Sequence, residues 1–515
     1  MKSNTVNTIE VWYNFKIKII LKSMLVGIFA GFITVFYRYL LEKSLIAAHF
    51  IYSMELKNFW LIPVFTVVLI TAGYVVGCIV QSDSMVAGSG IPQVEGILIG
   101  KLRMNWYKVI LKKFMAGVIA IGAGLSLGRE GPSIQIGAAV GQGIGRLFKG
   151  TDLEEKFLIT SGASAGLAAA FNAPLAGCIF ALEEIHKNFS SKILISAFSA
   201  SIISDFIAKQ LLGMSPVFNF NYIKVMPLKN YSYIVLFGII LALCGVLFNK
   251  ALLKSQDIYN SKKWLTVKRK PIIAFLIAGV MGLVLPQVLG GGHDLVSALA
   301  NSNMTIQMMI VILVGKFLFT MSSYGSGTPG GIFLPLLVIG ALIGSIYGNI
   351  IHVAFGFNSQ YINNLIILGM AGYFSSVVKS PITGIVLITE MTGAFTNLLS
   401  VSVVSIVAYI FSDMLNSKPV YELLLGRILN KNTGCKIEDN KKTIVETVVH
   451  INSDICGKKI KNVTFPPHCL IVALKRGEKE IIPKGDTVIW AGDYLIILID
   501  KSYEAEVRKS LYELD

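Results

Sequence analysis

Charge is what this chain has least of. Only 15% of its 515 residues are Asp, Glu, Lys or Arg, while 54% are apolar. A soluble domain carries about 25% charged residues, so a water-solvated globule is excluded and a bilayer is the expected solvent. Cysteine and histidine are scarce as well, with six of each. Cys78, Cys178, Cys244, Cys435, Cys456 and Cys469 form no CxxC pair and have no His at ligand spacing, which reads as reduced structural thiols without a metal site. No nucleophile with a positioned base stands out, so no enzymatic centre is expected.

Acidic residues are the scarcer sign, 30 against 46 basic, leaving a net charge of +16. In a soluble protein that excess would point to nucleic acid, but its distribution argues otherwise. From Lys431 onward the chain carries 14 basic and 13 acidic residues, so +15 of the net charge belongs to the apolar part. Such an excess fits cytoplasmic loops facing anionic lipid. Lys16, Lys18 and Lys22 stand before or within the first apolar run and place the N-terminus in the cytoplasm. The run from Ile17 to Tyr39 has no cleavage pattern and reads as a retained helix.

Apolar runs long enough to cross a hydrocarbon core of about 30 Å extend from Ile17 to Tyr39, Phe59 to Val80, Tyr231 to Phe248, Ile272 to Leu289 and Ile306 to Met321. Others are shorter and broken by Gly and Pro. Backbone freed at such breaks is tolerated at membrane depth only where it lines a cavity or is buried in protein.

The breaks recur. Gly88-Ser89-Gly90 with Val94 returns as Gly290-Gly291-Gly292 with Val296, an offset of 202. Gly128, Pro132, Gly137, Ala138, Gly141 and Gly145 return as Gly331, Pro335, Gly340, Ala341, Gly344 and Gly348, an offset of 203. Pro174 to Gly177 followed by Glu183 returns as Pro381 to Gly384 followed by Glu390, an offset of 207. The apolar part is therefore a duplication, roughly residues 15–215 and 225–425. Repeats of this kind mark transporters with halves in opposite orientation and an ion site near the midplane, between discontinuous helices.

Five of these places bear chemistry. Gly88-Ser89-Gly90-Ile91-Pro92 is a turn leading into a helix start, where free N–H groups, the positive helix end and the Ser89 hydroxyl could hold an anion; a plain connecting turn is the alternative. Gly128-Arg129-Glu130-Gly131-Pro132 places a guanidinium and a carboxylate in an apolar stretch, which is costly and points to function. Glu130 stands where an anion would bind, so its carboxylate can occupy the site and protonation would release it; the alternative is an inert Arg129–Glu130 ion pair. Phe333, the repeat partner of Glu130, offers only backbone N–H groups and by itself reads as a core or lipid-facing ring. Glu184 lies ten residues beyond Pro174, about 15 Å along a helix, where a buried carboxyl could relay protons, whereas Glu183 fits an exposed helix end. Tyr421, in Lys418-Pro419-Val420-Tyr421, opens a last short helix; its hydroxyl could donate to an anion, although an interfacial Tyr is commoner.

Beyond Tyr421 the pattern changes. Ile444 to Ile451, Leu470 to Lys475, Asp486 to Ala491 and Tyr494 to Ile499 read as strands, and Tyr503 to Leu514 as an amphipathic helix. The expected organisation is a membrane domain over residues 1–430, a charged linker over 431–440 and a small α/β cytoplasmic domain over 441–515.

Together, GSGIPQVEG at 88–96, GREGPSIQIG at 128–137, AAAFNAPLAG at 168–177, GGIFLP at 330–335 and KPVY at 418–421 resemble the CLC chloride channel and transporter family, over about residues 15–425. The resemblance implies an all-α, polytopic inverted-repeat membrane domain in the cell membrane, forming a homodimer with an ion pathway in each subunit. It assigns chloride coordination to the hydroxyls of Ser89 and Tyr421 and the backbone amides of Ile332 and Phe333, gating to Glu130, and inner proton transfer to Glu184. It matches Lys113 to a buried basic residue that favours anions. Ser89 is similar to the chloride-selective branch, and a carboxylate at 184 to the chloride/proton antiporters; a passive chloride channel of the same fold is the alternative. The stretches Ile481 to Asp486 and Ala491 to Asp493 resemble the RCK_C (TrkA_C) domain of potassium-transport regulators. That resemblance implies regulation by a small nucleotide, with cyclic di-AMP the leading candidate; in the sequence itself the apolar run Cys469 to Ala473 beside the basic pair Lys475 and Arg476 offers a floor for a base and cations for phosphate, a solvated face being the alternative, since Glu478 and Glu480 follow at once. No other cofactor is expected.

Overall fold

The computed structural model describes residues 2–187, 189–218, 220, 224–301, 304–433, 442–450, 453, 455–465, 467, 469–477, 479–500 and 507; for residues 2–16, 431–433, 443, 444 and 500 it describes the backbone alone. The chain divides into two units, Met1–Leu425 and Gly426–Asp515.

The first unit is built from helices that come in two matching series. In chain order the first is α1 (Lys2–Lys57), α2 (Leu61–Ser82), α3 (Ile91–Leu98), α4 (Trp106–Gly122), α5 (Glu130–Leu147), α6 (Asp152–Phe171), α7 (Pro174–Phe180) and α8 (Ser191–Leu212). The second is α9 (Tyr231–Ser261), α10 (Lys270–Val284), α11 (His293–Asn301), α12 (Ile306–Gly325), α13 (Phe333–Phe355), α14 (Ile362–Val378), α15 (Pro381–Thr392) and α16 (Leu398–Met414), followed by α17 (Val420–Thr433). Short helices begin where the sequence places proline in the first turn, as at Pro92 in α3, Pro174 in α7 and Pro381 in α15. There the missing N–H costs nothing and the fixed φ suits the helix.

Equivalent positions in the two series do equivalent work. Gly128 and Gly331 exchange both backbone bonds, at 2.6 and 2.7 Å, as an isolated antiparallel bridge between the starts of α5 and α13. Lys113 Nζ donates to the carbonyls of Val86 and Gly88, and Lys316 Nζ to those of Val288 and Gly290. A side chain at Gly137 would strike the Gly162 carbonyl, and one at Gly340 the Gly369 carbonyl, so α5 on α6 and α13 on α14 require glycine at the crossing. This is small-residue packing, which lets helices approach without a hydrophobic drive between them.

Among the described residues, eight stretches are long and apolar enough to cross a membrane: Ile17–Lys57, Leu61–Ser82, Ser191–Leu212, Leu228–Ser261, Ile306–Gly325, Phe333–Phe355, Ser359–Val378 and Phe395–Met414. Two expectations are corrected. The run expected from Ile272 to Leu289 is helical only to Val284, because Leu285 leaves the helical region (φ −145°, ψ 66°) ahead of Pro286, as a residue before proline is disfavoured there. Four of the eight, beginning at Ser191, Phe333, Ser359 and Phe395, had read as too short or broken. Their small and polar residues depress apolarity but face other helices: α14 alone buries Asn364, Ser375 and Ser376.

In the second unit β1 (Lys442–Val448), β2 (Cys469–Arg476), β3 (Lys479–Ile481) and β4 (Tyr494–Asp500) form an antiparallel sheet in the order β1-β4-β2-β3. Its buried core includes Val445, Leu474, Ile489, Leu495, Ile497 and Ile499. The stretch expected as a strand over Asp486 to Ala491 does not join the sheet; it pairs with the segment from Gly457 to Ile460 through the Lys459–Val488 bridge and flanking bonds such as Gly457 N to Ile489 O and Ile460 N to Thr487 O, and a short hairpin strand, β3, stands beside β2. The helix expected over Tyr503 to Leu514 lies outside the described residues apart from Val507, and most of the linker over 431–440 does so too.

A candidate anion site where helix starts converge

The loop before α3 turns its carbonyls away from the site and spends them. Gln135 Nε2 donates to Met85 O at 2.7 Å, Gln93 Nε2 to Ala87 O at 2.7 Å, and Lys113 Nζ to Val86 O and Gly88 O at 3.0 and 2.7 Å. Lys113 is wholly buried. With these carbonyls committed to side-chain donors, and the N–H groups of Val86, Ala87 and Gly88 bonded to Asp83 O, Ser84 O and Gly327 O, the loop is fixed on both sides, and a left-handed Gly90 (φ +100°) aims α3. Ser89 stands in this loop, 1% exposed, and its hydroxyl has no hydrogen-bond partner. Unsatisfied buried polar groups are rare and ask for an explanation.

Among the buried polar atoms that share that condition, four belong to the other candidate residues. Both carboxylate oxygens of Glu130, a fully buried residue, lack a side-chain partner and face the backbone N–H groups of Glu130 itself and Leu334. The carboxylate folds back over Gly128, where any side chain would collide with Oε2, close to the start of α13 at Leu334. The Tyr421 hydroxyl is fully buried and unpartnered, and so is Oε1 of Glu184. Gly131 abuts Ser89 so closely that a side chain there would strike its hydroxyl.

Aromatic rings join the rest. Phe333 is fully buried at the start of α13, packed on Phe171, Phe180 and Phe374 with ring centroids 5.4, 5.8 and 4.8 Å away, and Phe180 meets the Tyr421 ring edge-on at 6.5 Å. Ile332 caps α13, so Ile332 and Phe333 carry N–H groups at its open end. The starts of α3, α5 and α13 thus meet around Ser89, Glu130 and Phe333.

Arg129 does not neutralise Glu130. Its guanidinium bonds Glu42 Oε1 at 2.8 Å, which removes the inert ion pair as an account of that motif. Glu184 is 4% exposed and accepts from Ser380 Oγ at 2.5 Å. Lys187, just beyond it, bridges Glu95 and Glu422, 2.6 Å from each.

Glu183 is not an exposed helix end. Its carboxylate accepts from Ile382 N, Thr383 N and Thr383 Oγ1 at 3.3, 2.7 and 2.7 Å, capping α15. Glu390 returns the arrangement by accepting from Leu175 N and Ala176 N at 3.2 and 2.8 Å, capping α7. Sequence reasoning had paired these two glutamates by their offset yet missed this role; α7 and α15 begin at prolines, and a helix start without its own capping side chain needs an acceptor from elsewhere.

In the second unit, Arg476 is committed within the fold. It donates twice to Asp493, at 2.8 and 2.7 Å, and to Val488 O at 2.8 Å. Burial alone would raise the Asp493 carboxyl, but the bonds from Arg476 and from Trp490 N hold it below the usual carboxylate range. Arg476 thus sits in an ion pair with Asp493 while its side chain stays 39% exposed, and Lys475 beside it faces solvent.

An inverted pair of helix series with buried, unpartnered donors and one uncompensated carboxylate at converging helix starts defines an anion-handling membrane protein. The family model described as voltage gated chloride channel matches residues 72–413, and the TrkA-C domain model matches residues 444–512. The chain is 32% identical over 442 residues to the H(+)/Cl(-) exchange transporter ClcA of Vibrio vulnificus strain YJ016, covering 82% of this chain and 92% of that one. It is 35% identical over 363 residues to ClcA of Vibrio cholerae serotype O1 strain ATCC 39541, covering 68% and 76%. Among solved structures it resembles a slow cyanobacterial Cl-/H+ antiporter, with TM-score 0.77 and 30% identity over 80% of this chain and 98% of that one. A CLC-type fluoride/proton antiporter shares the fold, with TM-score 0.65 and 23% identity over 77% and 95%. The protein is a member of the voltage gated chloride channel (CLC) family, with a TrkA-C domain at its C-terminal end.

Proposed function

We propose that the protein is a chloride/proton antiporter of the cell membrane. The observation that carries this reading is Glu130: a fully buried carboxylate with no side-chain partner, set against the backbone N–H at Leu334 beside Ser89 and the starts of α5 and α13. Chloride is held by the Ser89 and Tyr421 hydroxyls and by the open N–H groups at Ile332 and Phe333, where helix ends favour negative charge. Glu130 in its ionised form takes the outer part of the same place. Protonated, it loses its claim on those donors and swings clear, so each passage of chloride is tied to a proton gained or lost. Glu184, oriented by Ser380, passes protons between Glu130 and the cytoplasmic side, and Lys113 fixes the loop that carries Ser89 by bonding the Val86 and Gly88 carbonyls. Two copies form a homodimer with a pathway in each, and N-terminus and tail lie in the cytoplasm.

The 441–515 domain dimerises and senses a small anionic nucleotide, with cyclic di-AMP as the probe of choice and Lys475 as a phosphate contact. Its grip on transport runs through α17, the helix that begins beside Tyr421 and leads into the tail. A ligand shifts such an equilibrium only by binding one state better than the other.

The test is a liposome containing only this protein, loaded with chloride and diluted into low chloride. Outward chloride flow driving protons inward against their gradient supports the reading; chloride flow without proton movement removes it. Calorimetry of the full-length protein with cyclic di-AMP tests the tail, and absence of binding at micromolar concentration removes the ligand.

A further inference from the structure

The segment that begins at Pro174 and its repeat partner end differently. Beyond α7 the helix widens into a π-helical turn, Ala181–His186, and closes on Lys187 in the left-handed region at φ +53°. Turns of that kind are uncommon and recur at functional sites. The matching segment, α15, stays α-helical to Thr392 and closes on Gly393 at φ +66°. Glycine is the ordinary residue at a left-handed cap, because a Cβ is crowded there. A lysine in that place is disfavoured unless its side chain makes contacts that offset the strain.

Lys187 makes two such contacts. Its Nζ lies 2.6 Å from Glu95 Oε1 on α3 and 2.6 Å from Glu422 Oε1 on α17. Glu95 is buried, and the other two side chains are partly open to water. The helices joined in this way carry the two unpartnered hydroxyls, since α3 follows the Ser89 loop and α17 opens with Val420 and Tyr421. They also approach each other directly: a side chain at Gly96 would press on Leu425. From its other end the Tyr421 segment is held more loosely. One amide, Asn249 Nδ2, serves Val377 O, Ser417 Oγ and Lys418 O, each at 3.3 Å, with only two hydrogens to give. Breaking an ion pair that has a buried partner is costly, so Lys187 resists any separation of α3 from α17.

We propose that Lys187 is a positioning residue for the anion site: it clasps α3 to α17 and so fixes the distance between the Ser89 and Tyr421 hydroxyls. The inference rests on the placing of chloride between those hydroxyls given above. With the clasp closed, chloride is held while Glu184, three positions before Lys187, passes its proton. With the clasp open the two hydroxyls part, and chloride binds more weakly and slips inward without a proton.

Calorimetric titration of the full-length protein with chloride reads the site, and paired chloride and pH electrodes on liposomes read the coupling. Lys187→Gly is the sharpest variant, because it gives this cap the residue found at 393 and removes the clasp without straining the backbone. It raises the Kd for chloride about three- to tenfold and moves more chloride per proton, with thermal unfolding little changed. Lys187→Met acts in the same direction, and Glu422→Gln, which cuts one arm, gives a smaller shift of the same sign. Lys187→Arg keeps the charge and recovers most of the affinity. A chloride Kd unchanged in both Lys187→Gly and Lys187→Met overturns the proposal. So does a loss in Lys187→Arg as large as in Lys187→Met, since packing and not charge would then be at work. Absent proton coupling in the unmodified protein refutes the antiporter reading, while the chloride Kd still reports on the clasp.

Discussion

Glu183 and Glu390, 207 residues apart in the sequence, each cap the helix that begins the other's segment. Glu183 holds the start of α15 and Glu390 the start of α7. The two repeats are thereby fastened through their discontinuous helices, and the same fastening sets Ser380, the residue before α15, against Glu184.

Removing either cap should cost stability more than function. Glu183→Ala and Glu390→Ala each lose two or more bonds to helix N–H groups and should destabilise the protein by about 1–2 kcal/mol. Thermal unfolding in detergent checks this. The double variant should lose less than the sum of the two if both caps serve one junction; strict additivity would mean that the two ends are independent.

Glu130→Gln should keep chloride moving and stop the protons. The amide resembles the protonated acid in shape and charge yet cannot deliver a proton. Paired chloride and pH electrodes on liposomes read both fluxes, and uphill proton transport persisting in this variant would show that the gate lies elsewhere.

Glu184→Ala should likewise uncouple protons, for a different reason: the anion site stays whole and the inner proton path is removed. Ser380→Ala, which deletes the bond that orients Glu184, should weaken coupling partially. A proton-to-chloride ratio unchanged in Glu184→Ala, or lost instead in Glu183→Ala, would contradict the assignment of the relay.

Much of the membrane unit was legible because glycine and proline have few uses at membrane depth. Pro92, Pro174 and Pro381 mark helix starts, and Gly137 and Gly340 mark crossings where nothing larger fits. The buried state of Glu130 and Glu184 followed from the cost of charge in an apolar stretch. What stayed hidden was long-range. No local pattern says that Arg129 reaches Glu42 across 87 positions, or that Glu183 serves a helix 200 residues away. The offset of 203 that links Lys113 to Lys316 was present in the sequence, yet only the shared carbonyl bonds reveal that both pin a glycine loop. In the tail, basic Arg476 looked free to meet a phosphate because its partner Asp493 lies 17 positions on, across a hairpin.

Ser89→Pro should shift preference from chloride towards nitrate. The hydroxyl donor disappears, and the more weakly hydrated anion depends on it less. Relative permeability from bi-ionic reversal potentials measures the change; identical selectivity would reduce Ser89 to a turn residue with an unexplained buried hydroxyl.

The central claim is that chloride and protons move in obligatory exchange, and the reversal potential tests it most directly. With the protein alone in a planar bilayer and a fixed chloride gradient, the pH of one side is changed step by step. Antiport predicts a reversal potential that departs from the chloride equilibrium potential and moves with every change of pH. A reversal potential fixed at the chloride value at all pH gradients would contradict the account and make the protein a passive chloride pathway.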